Sequence, residues 1–195
     1  MGVLYGRYDL LDRLHAYKVR PAGAQPHDKF ETGTKNHEGM AGTAAAINYL
    51  ADLGAELGTP FAGDFTGFTG RRLQLKAAMA AIRAYERPLV GKLIKGLQAI
   101  PGVTLYGITD PFGFDRRAPT VAFTLQGYTP RQVAERLGQA GIFVWDGNYY
   151  ALAVTQRLNL EDKGGMLRVG AVHYNTPDEI ARLGEALKRI AKSVS

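Results

Sequence analysis

Two four-residue segments, Thr129-Pro130-Arg131-Gln132 and Thr176-Pro177-Asp178-Glu179, carry the same helix-start chemistry. Each offers a threonine side chain to cap free N–H groups, a proline at the first helical position, where no donor is missed, and a Gln or Glu that can reach back to the cap. The second start leads into Ile180, Leu183, Leu187, Ile190 and Val194, one apolar stripe at helical spacing that must lie on a sheet. Around these starts fall short β-rich runs, Val103 to Tyr106, Thr120 to Leu125, Ile142 to Trp145 and Leu167 to Val172. Residues 73–195 are therefore predicted to form a compact α/β layer.

Upstream of that layer, Ile82, Leu89, Leu93, Leu97 and Ile100 recur at near-helical spacing and predict a long helix from about Gly70 to Gln98. Pro88 should kink or interrupt it, and the helix reads as a connector between two lobes. A Gly/Ala-rich apolar helix is expected from about His37 to Leu57, with Asn36 as N-cap and Gly58 as stop. Residues 18–29, with Pro21, Gly23 and Pro26, read as loop, as do residues 59–69. A helical turn fits residues 8–14, and Gly2-Val3-Leu4-Tyr5-Gly6 reads as a buried strand. The division expected from these changes of pattern is 1–72 and 73–195.

Composition removes several classes of function. Zero cysteines among 195 residues exclude thiolate nucleophiles, persulfide carriers and cysteine-ligated metal or iron–sulfur centres within this chain. No run approaches the roughly 20 apolar residues of a membrane span, so the expectation is a cytoplasmic protein without a membrane partner. The net charge of +6 raises the question of nucleic acid, and the whole excess falls in residues 73–195. Its main carriers, Lys76, Arg83, Arg87, Lys92 and Lys95, are spread along one predicted helix with no interleaved aromatic platform, so a solvated helix face is expected and no nucleic-acid partner. The four histidines, His15, His27, His37 and His173, have no metal-ligand spacing, and no metal is assigned.

Three places could carry chemistry. Glu31-Thr32-Gly33-Thr34 precedes a helix start, where glycine permits close backbone approach and a threonine hydroxyl joins unpaired N–H groups to make an anion site. Arg168 interrupts the apolar strand Met166-Leu167-Arg168-Val169-Gly170. Its planar fork suits a carboxylate if it faces a wet cleft, and otherwise it is an edge-strand arginine facing water. Trp145-Asp146-Gly147-Asn148-Tyr149-Tyr150 is an aromatic-rich turn at a strand end, of the kind that lines ligand sites or simply reverses the chain. His173 and Tyr174 read as packing and hydrogen-bonding residues.

Phe30-Glu31-Thr32-Gly33-Thr34-Lys35-Asn36 with its Gly/Ala-rich helix, and Leu167-Arg168-Val169-Gly170 through Tyr174-Asn175-Thr176-Pro177-Asp178-Glu179-Ile180, together resemble the class V aminotransferases of the cysteine desulfurase-like group. These are fold-type I enzymes dependent on pyridoxal 5'-phosphate (PLP). The resemblance implies an α/β fold made of the small C-terminal domain, a long connector helix and the tail of the large PLP-binding domain. It places the Schiff-base lysine upstream of Met1, so no catalytic residue is expected in this chain, which should be inactive alone. It also implies that Thr34, with Gly33 beside it, contacts the PLP phosphate, typically across a homodimer, and that Arg168 binds the α-carboxylate of an amino-acid substrate. Asn175 and Tyr174 match a structural motif, and Trp145, Asp146 and Tyr149 are expected to shape the substrate pocket.

In that group a cysteine on a mobile loop attacks the substrate sulfur, and the corresponding stretch here, roughly Asp146 to Lys163, has none. Transamination, elimination and epimerisation of an amino acid remain open. A non-catalytic truncated fragment or a dimerisation module is the competing expectation.

Overall fold

A computed structural model describes residues 1–31 and 33–193. Thr32 of the anion motif and Val194 of the terminal stripe lie outside the described residues. The chain divides into two compact units, Met1–Ala78 and Met79–Ser195.

In the first unit, α1 (Tyr8–Arg13) and α2 (Pro26–Lys29) are short, and α3 (His37–Leu57) is long. The buried Lys29 explains how α2 and α1 meet. Its ammonium donates to the carbonyls of Asp12 (2.7 Å) and Leu14 (3.0 Å), satisfying the free C=O groups at the end of α1. Residues 18–29 are thus not all loop. The expected buried strand at Gly2–Gly6 is overturned, since the segment forms no strand and Val3, Leu4 and Tyr5 are exposed. A strand needs a neighbour to pair with, and the described residues of this unit contain none.

Asn36 caps α3 as expected, its Oδ1 accepting from the Gly39 amide at 2.7 Å. Gly58 ends the helix, but not by adopting a left-handed conformation, for its φ is −84°. Gly54 and Gly58 are there for proximity. A Cβ on Gly54 would overlap the Gln74 carbonyl oxygen, and one on Gly58 would collide with the Gly54 carbonyl and the Ala77 methyl. Residues 59–65, expected as loop, form a 3-10 turn. Gly54→Ala should therefore destabilise the first unit by about 1–3 kcal/mol, as overpacking against backbone does, and urea unfolding read by circular dichroism measures it.

Helix α4 (Gly70–Gln98) runs through Pro88 without interruption. Pro88 is exposed, and so is Ala84 one turn earlier, so the carbonyl that loses its partner faces water. The second unit continues with β1 (Val103–Tyr106), β2 (Thr120–Leu125), α5 (Pro130–Gln139), β3 (Trp145–Gly147), α6 (Leu152–Arg157), β4 (Met166–Gly170) and α7 (Pro177–Lys192). Both expected capping boxes form, Thr129 with Gln132 and Thr176 with Glu179. The Glu179 carboxyl is held below its usual range, first by the Thr176 backbone N–H and then by Asn175.

The four strands pair in the order β1-β2-β4-β3, every neighbour antiparallel. Alternation along β2 and β4 sends Val121, Phe123, Leu125, Leu167 and Val169 to one face, where they meet Leu93 and Leu97 of α4, Val133 and Leu137 of α5, and Leu183 and Leu187 of α7. All three helices therefore cover the same side of the sheet. The opposite face carries a row of directly opposed residues across all four strands, Tyr106, Ala122, Arg168 and Trp145. The strand expected at Ile142–Trp145 is shifted, and pairing begins only at Trp145. Asp146 and Gly147, expected in a turn, are strand residues. Among the described residues no helix is long and apolar enough to cross a membrane.

Candidate carboxylate site on the open face of the sheet

Arg168 lies on β4, which has β2 on one side and β3 on the other, so it is not an edge-strand residue. The alternation that buries Leu167 and Val169 pushes Arg168 to the uncovered face, where it is exposed. Among the described residues it forms no ion pair. Its guanidinium carbon instead stands 4.6 Å from the centre of the Tyr149 ring. A groove of about 810 Å³ opens beside it, with Trp145, Phe143, Ile180, Asn175 and Arg182 on its walls. The Glu179 carboxylate on the groove wall already accepts from Asn175 and Thr176, so the guanidinium at the groove's edge is left able to take a bidentate anion from solution.

Of the expected pocket residues, the structure brings Trp145 and Tyr149 to Arg168. Trp145 is the direct cross-strand partner of Arg168 and is 64% exposed. Asp146 goes elsewhere. It opposes Leu167, on the helix-covered side, and its carboxylate pairs with Arg131 of α5 at 3.5 Å. Consecutive strand residues point to opposite faces, so Trp145 and Asp146 part where a turn would have kept them together.

Tyr149 follows β3 with φ +56°, and Tyr150 follows it with φ +60°. Two consecutive non-glycine residues in the left-handed region cost roughly 1–2 kcal/mol each. The turn is braced from outside: Asn148 Nδ2 donates to Glu161 Oε1 at 2.9 Å, its Oδ1 accepts from the Tyr150 amide at 3.1 Å, and the other Glu161 oxygen accepts from the buried Thr155 hydroxyl. Within 146–163 the chain forms α6 and the 3-10 turn Glu161–Lys163, neither of which the sequence predicts. Burial pushes the Tyr149 hydroxyl up to about 12, with Arg168 opposing the rise and Asp146 adding to it. The hydroxyl stays neutral and able to donate at neutral pH.

Asn175 holds the turn after β4. Its Oδ1 accepts from the Val172 amide at 2.9 Å, its Nδ2 donates to Glu179 at 3.2 Å, and its carbonyl accepts from Tyr85 at 2.8 Å. Tyr174 is exposed and meets His173 edge to face at 5.2 Å between ring centres.

In the first unit, Gly33 and Thr34 are exposed just ahead of α3, and Gly33 has φ +74°. Thr34 lines a cavity of about 790 Å³ with Tyr5, His27 and Lys35 among its walls. Lys35 Nζ lies 3.1 Å from Asp28 and 3.5 Å from Glu31, and its hydrogen bond to Asp28 holds the ammonium above its usual range.

The second unit is thus an α/β domain, an open-faced antiparallel sheet backed by three helices, with an arginine on an inner strand that has no ion-pair partner among the described residues. The chain belongs to the class V aminotransferase family, whose model matches residues 55–183. Within that family it is similar to cysteine desulfurases. The cysteine desulfurase of Serratia proteamaculans (strain 568) is 30% identical over 98% of this chain and 42% of the relative. Probable cysteine desulfurase 2 of Mycobacterium leprae (strain TN) is 31% identical, over 94% of this chain and 39% of the relative. The apo cysteine desulfurase of Thermococcus onnurineus NA1 shares the fold with a TM-score of 0.67 at 23% identity, over 97% of this chain and 42% of that structure. The chain spans less than half the length of these relatives.

The family depends in general on PLP. Of the groups at the Thr34 cavity, the threonine hydroxyl fits the phosphate end of that cofactor, while Lys35 is paired with Asp28 and Glu31 and the His27 imidazole lies 3.5 Å from Asp28.

Proposed function

We propose that this chain forms the carboxylate-binding and phosphate-contacting part of a PLP-dependent enzyme that acts on an amino acid. Arg168 supports this reading most directly. An arginine on an inner strand, turned to the open face and without a carboxylate partner among the described residues, has its two parallel N–H donors free for a substrate carboxylate. Bound PLP would supply an electron sink for charge developing at the substrate α-carbon. Arg168 would fix the carboxylate and so orient the bond to be broken, while Trp145 and the apolar wall at Phe143 would exclude water on one side.

Thr34 would donate its hydroxyl to the cofactor phosphate, with Gly33 keeping the backbone open for close approach, since nothing lies within 4 Å of where a Cβ would stand. Thr34→Ala should weaken PLP binding about tenfold, the worth of one hydrogen bond to a charged group. Equilibrium dialysis followed by absorbance of the cofactor measures it, and unchanged binding would remove Thr34 from the site.

With no cysteine in the chain, persulfide formation on a residue of this chain is not part of the reading. Transamination, elimination and epimerisation remain as candidate reactions. The first unit leaves Leu4, Tyr5, Tyr17, Met40 and Ile47 exposed, an apolar surface suited to a partner, and a second copy is the proposed one.

The reading is tested by comparing L-alanine with ethylamine, which has the same skeleton without the carboxylate. L-alanine should perturb the Arg168 side-chain resonance and ethylamine should not. Equal effects of the two would refute carboxylate recognition at Arg168.

A further inference from the structure

We propose that Tyr149 is a positioning residue for Arg168, its ring a platform for the guanidinium and its hydroxyl a clamp on the two strands that carry the site. The proposal rests on the reading of Arg168 as the carboxylate-binding group. It assigns Tyr149 a role apart from contact with the substrate.

The geometry is specific. The Tyr149 hydroxyl, which has a single proton to donate, lies within hydrogen-bond distance of two carbonyl oxygens, that of Trp145 at 3.1 Å and that of Met166, and shares its proton between them. Trp145 is the cross-strand partner of Arg168, and Met166 is the next residue on the same face of β4. One hydroxyl thus ties together the two backbone positions that flank Arg168. The ring between hydroxyl and backbone lies against the guanidinium at 4.6 Å from its centre. A long arginine side chain on an open face otherwise samples many rotamers, and holding it against a ring removes much of that freedom before the ligand arrives.

The backbone at this position points the same way. Tyr149 is held at φ +56°, a conformation glycine adopts freely and tyrosine does not. A positive φ at a non-glycine residue persists only where the surrounding structure holds it, and here the Asn148–Glu161 bracing and the Tyr149 hydroxyl do so. The bracing is continuous inward, through Asn148 and Glu161 to the buried Thr155. The platform therefore stands on the body of the unit, and its position is set before any ligand binds.

Two variants of the full chain separate the ring from the hydroxyl. Tyr149→Phe keeps the platform and loses the clamp, and Tyr149→Leu loses both. The readout is the Arg168 Nε–Hε correlation in a proton–nitrogen NMR spectrum, assigned by its disappearance in Arg168→Ala, together with a titration of sodium acetate followed on the same signal. In the unmodified chain the ring should displace this proton resonance from its free-arginine position. Tyr149→Phe should keep most of that displacement. Tyr149→Leu should abolish it and weaken acetate binding at least threefold.

The proposal is overturned if Tyr149→Leu, with the remaining spectrum intact, leaves the Arg168 signal and the acetate affinity unchanged. If Tyr149→Leu unfolds the chain, Tyr149→Phe decides alone: the displacement should persist while Arg168 becomes more mobile in nitrogen relaxation, and loss of the displacement would refute the platform. Acetate that fails to move the signal of the unmodified chain would refute the carboxylate reading of Arg168, whereas the ring displacement and its loss in Tyr149→Leu would still establish the platform.

Discussion

Arg168→Ala should lower the affinity for an amino-acid carboxylate about a hundredfold, and Arg168→Lys about tenfold, with little change in stability. Each hydrogen bond from a charged donor to a carboxylate contributes roughly 1.5–3 kcal/mol, and alanine removes both bonds of the fork. Lysine keeps the charge but offers a single point of contact, so it restores only part of the loss. The fold should tolerate either change because Arg168 is exposed and forms no ion pair with any described residue. Titration of L-alanine followed by isothermal calorimetry measures the effect. A less than threefold change in Arg168→Ala would mean that the carboxylate is bound elsewhere.

Phe123→Ala should destabilise the second unit by about 3–5 kcal/mol, the usual cost of emptying a buried aromatic site. Phe123 is 0% exposed, at the centre of β2, in the core cluster to which α4, α5 and α7 all contribute. No single neighbouring element can collapse into the space without leaving the others, so the cavity should persist. A loss of this size is a large part of the roughly 5–15 kcal/mol that holds a typical domain together. Urea unfolding monitored at Trp145, the sole tryptophan, reports on this unit directly. A cost below about 1 kcal/mol would show that the helices repack freely over the sheet.

The groove beside Arg168 and the anchored Tyr149 ring give these two effects different origins. The first is lost contact with a ligand and leaves the core intact. The second is lost packing on the far face of the same sheet, where Phe123 opposes Leu167, the residue next to Arg168. Measuring stability and affinity on both variants distinguishes the faces, since Arg168→Ala should change only affinity.

Where local chemistry decides structure, the sequence was sufficient. The two Thr-Pro starts, the Asn36 cap and the stripe Ile180, Leu183, Leu187 and Ile190 all specify their neighbours within one or two turns, and each formed. The resemblance at Leu167-Arg168-Val169-Gly170 and Asn175-Thr176-Pro177 likewise identified the family, because short motifs at fixed places carry it. Properties that depend on distant pairing were not legible. Gly2–Gly6 has the composition of a strand but no described partner in its unit, β3 begins at Trp145 because that is where pairing with β4 starts, and α6 lacked any local signal of its own. Only the tertiary structure put Arg168 on an inner strand, sent Asp146 to the opposite face toward Arg131, and set the Tyr149 ring against the guanidinium. Helix caps and apolar stripes are fixed by residues three or four apart, whereas the face and neighbours of a strand residue are fixed by pairing register between segments far apart in the chain, as Trp145 with Arg168 and Ala122 with Arg168.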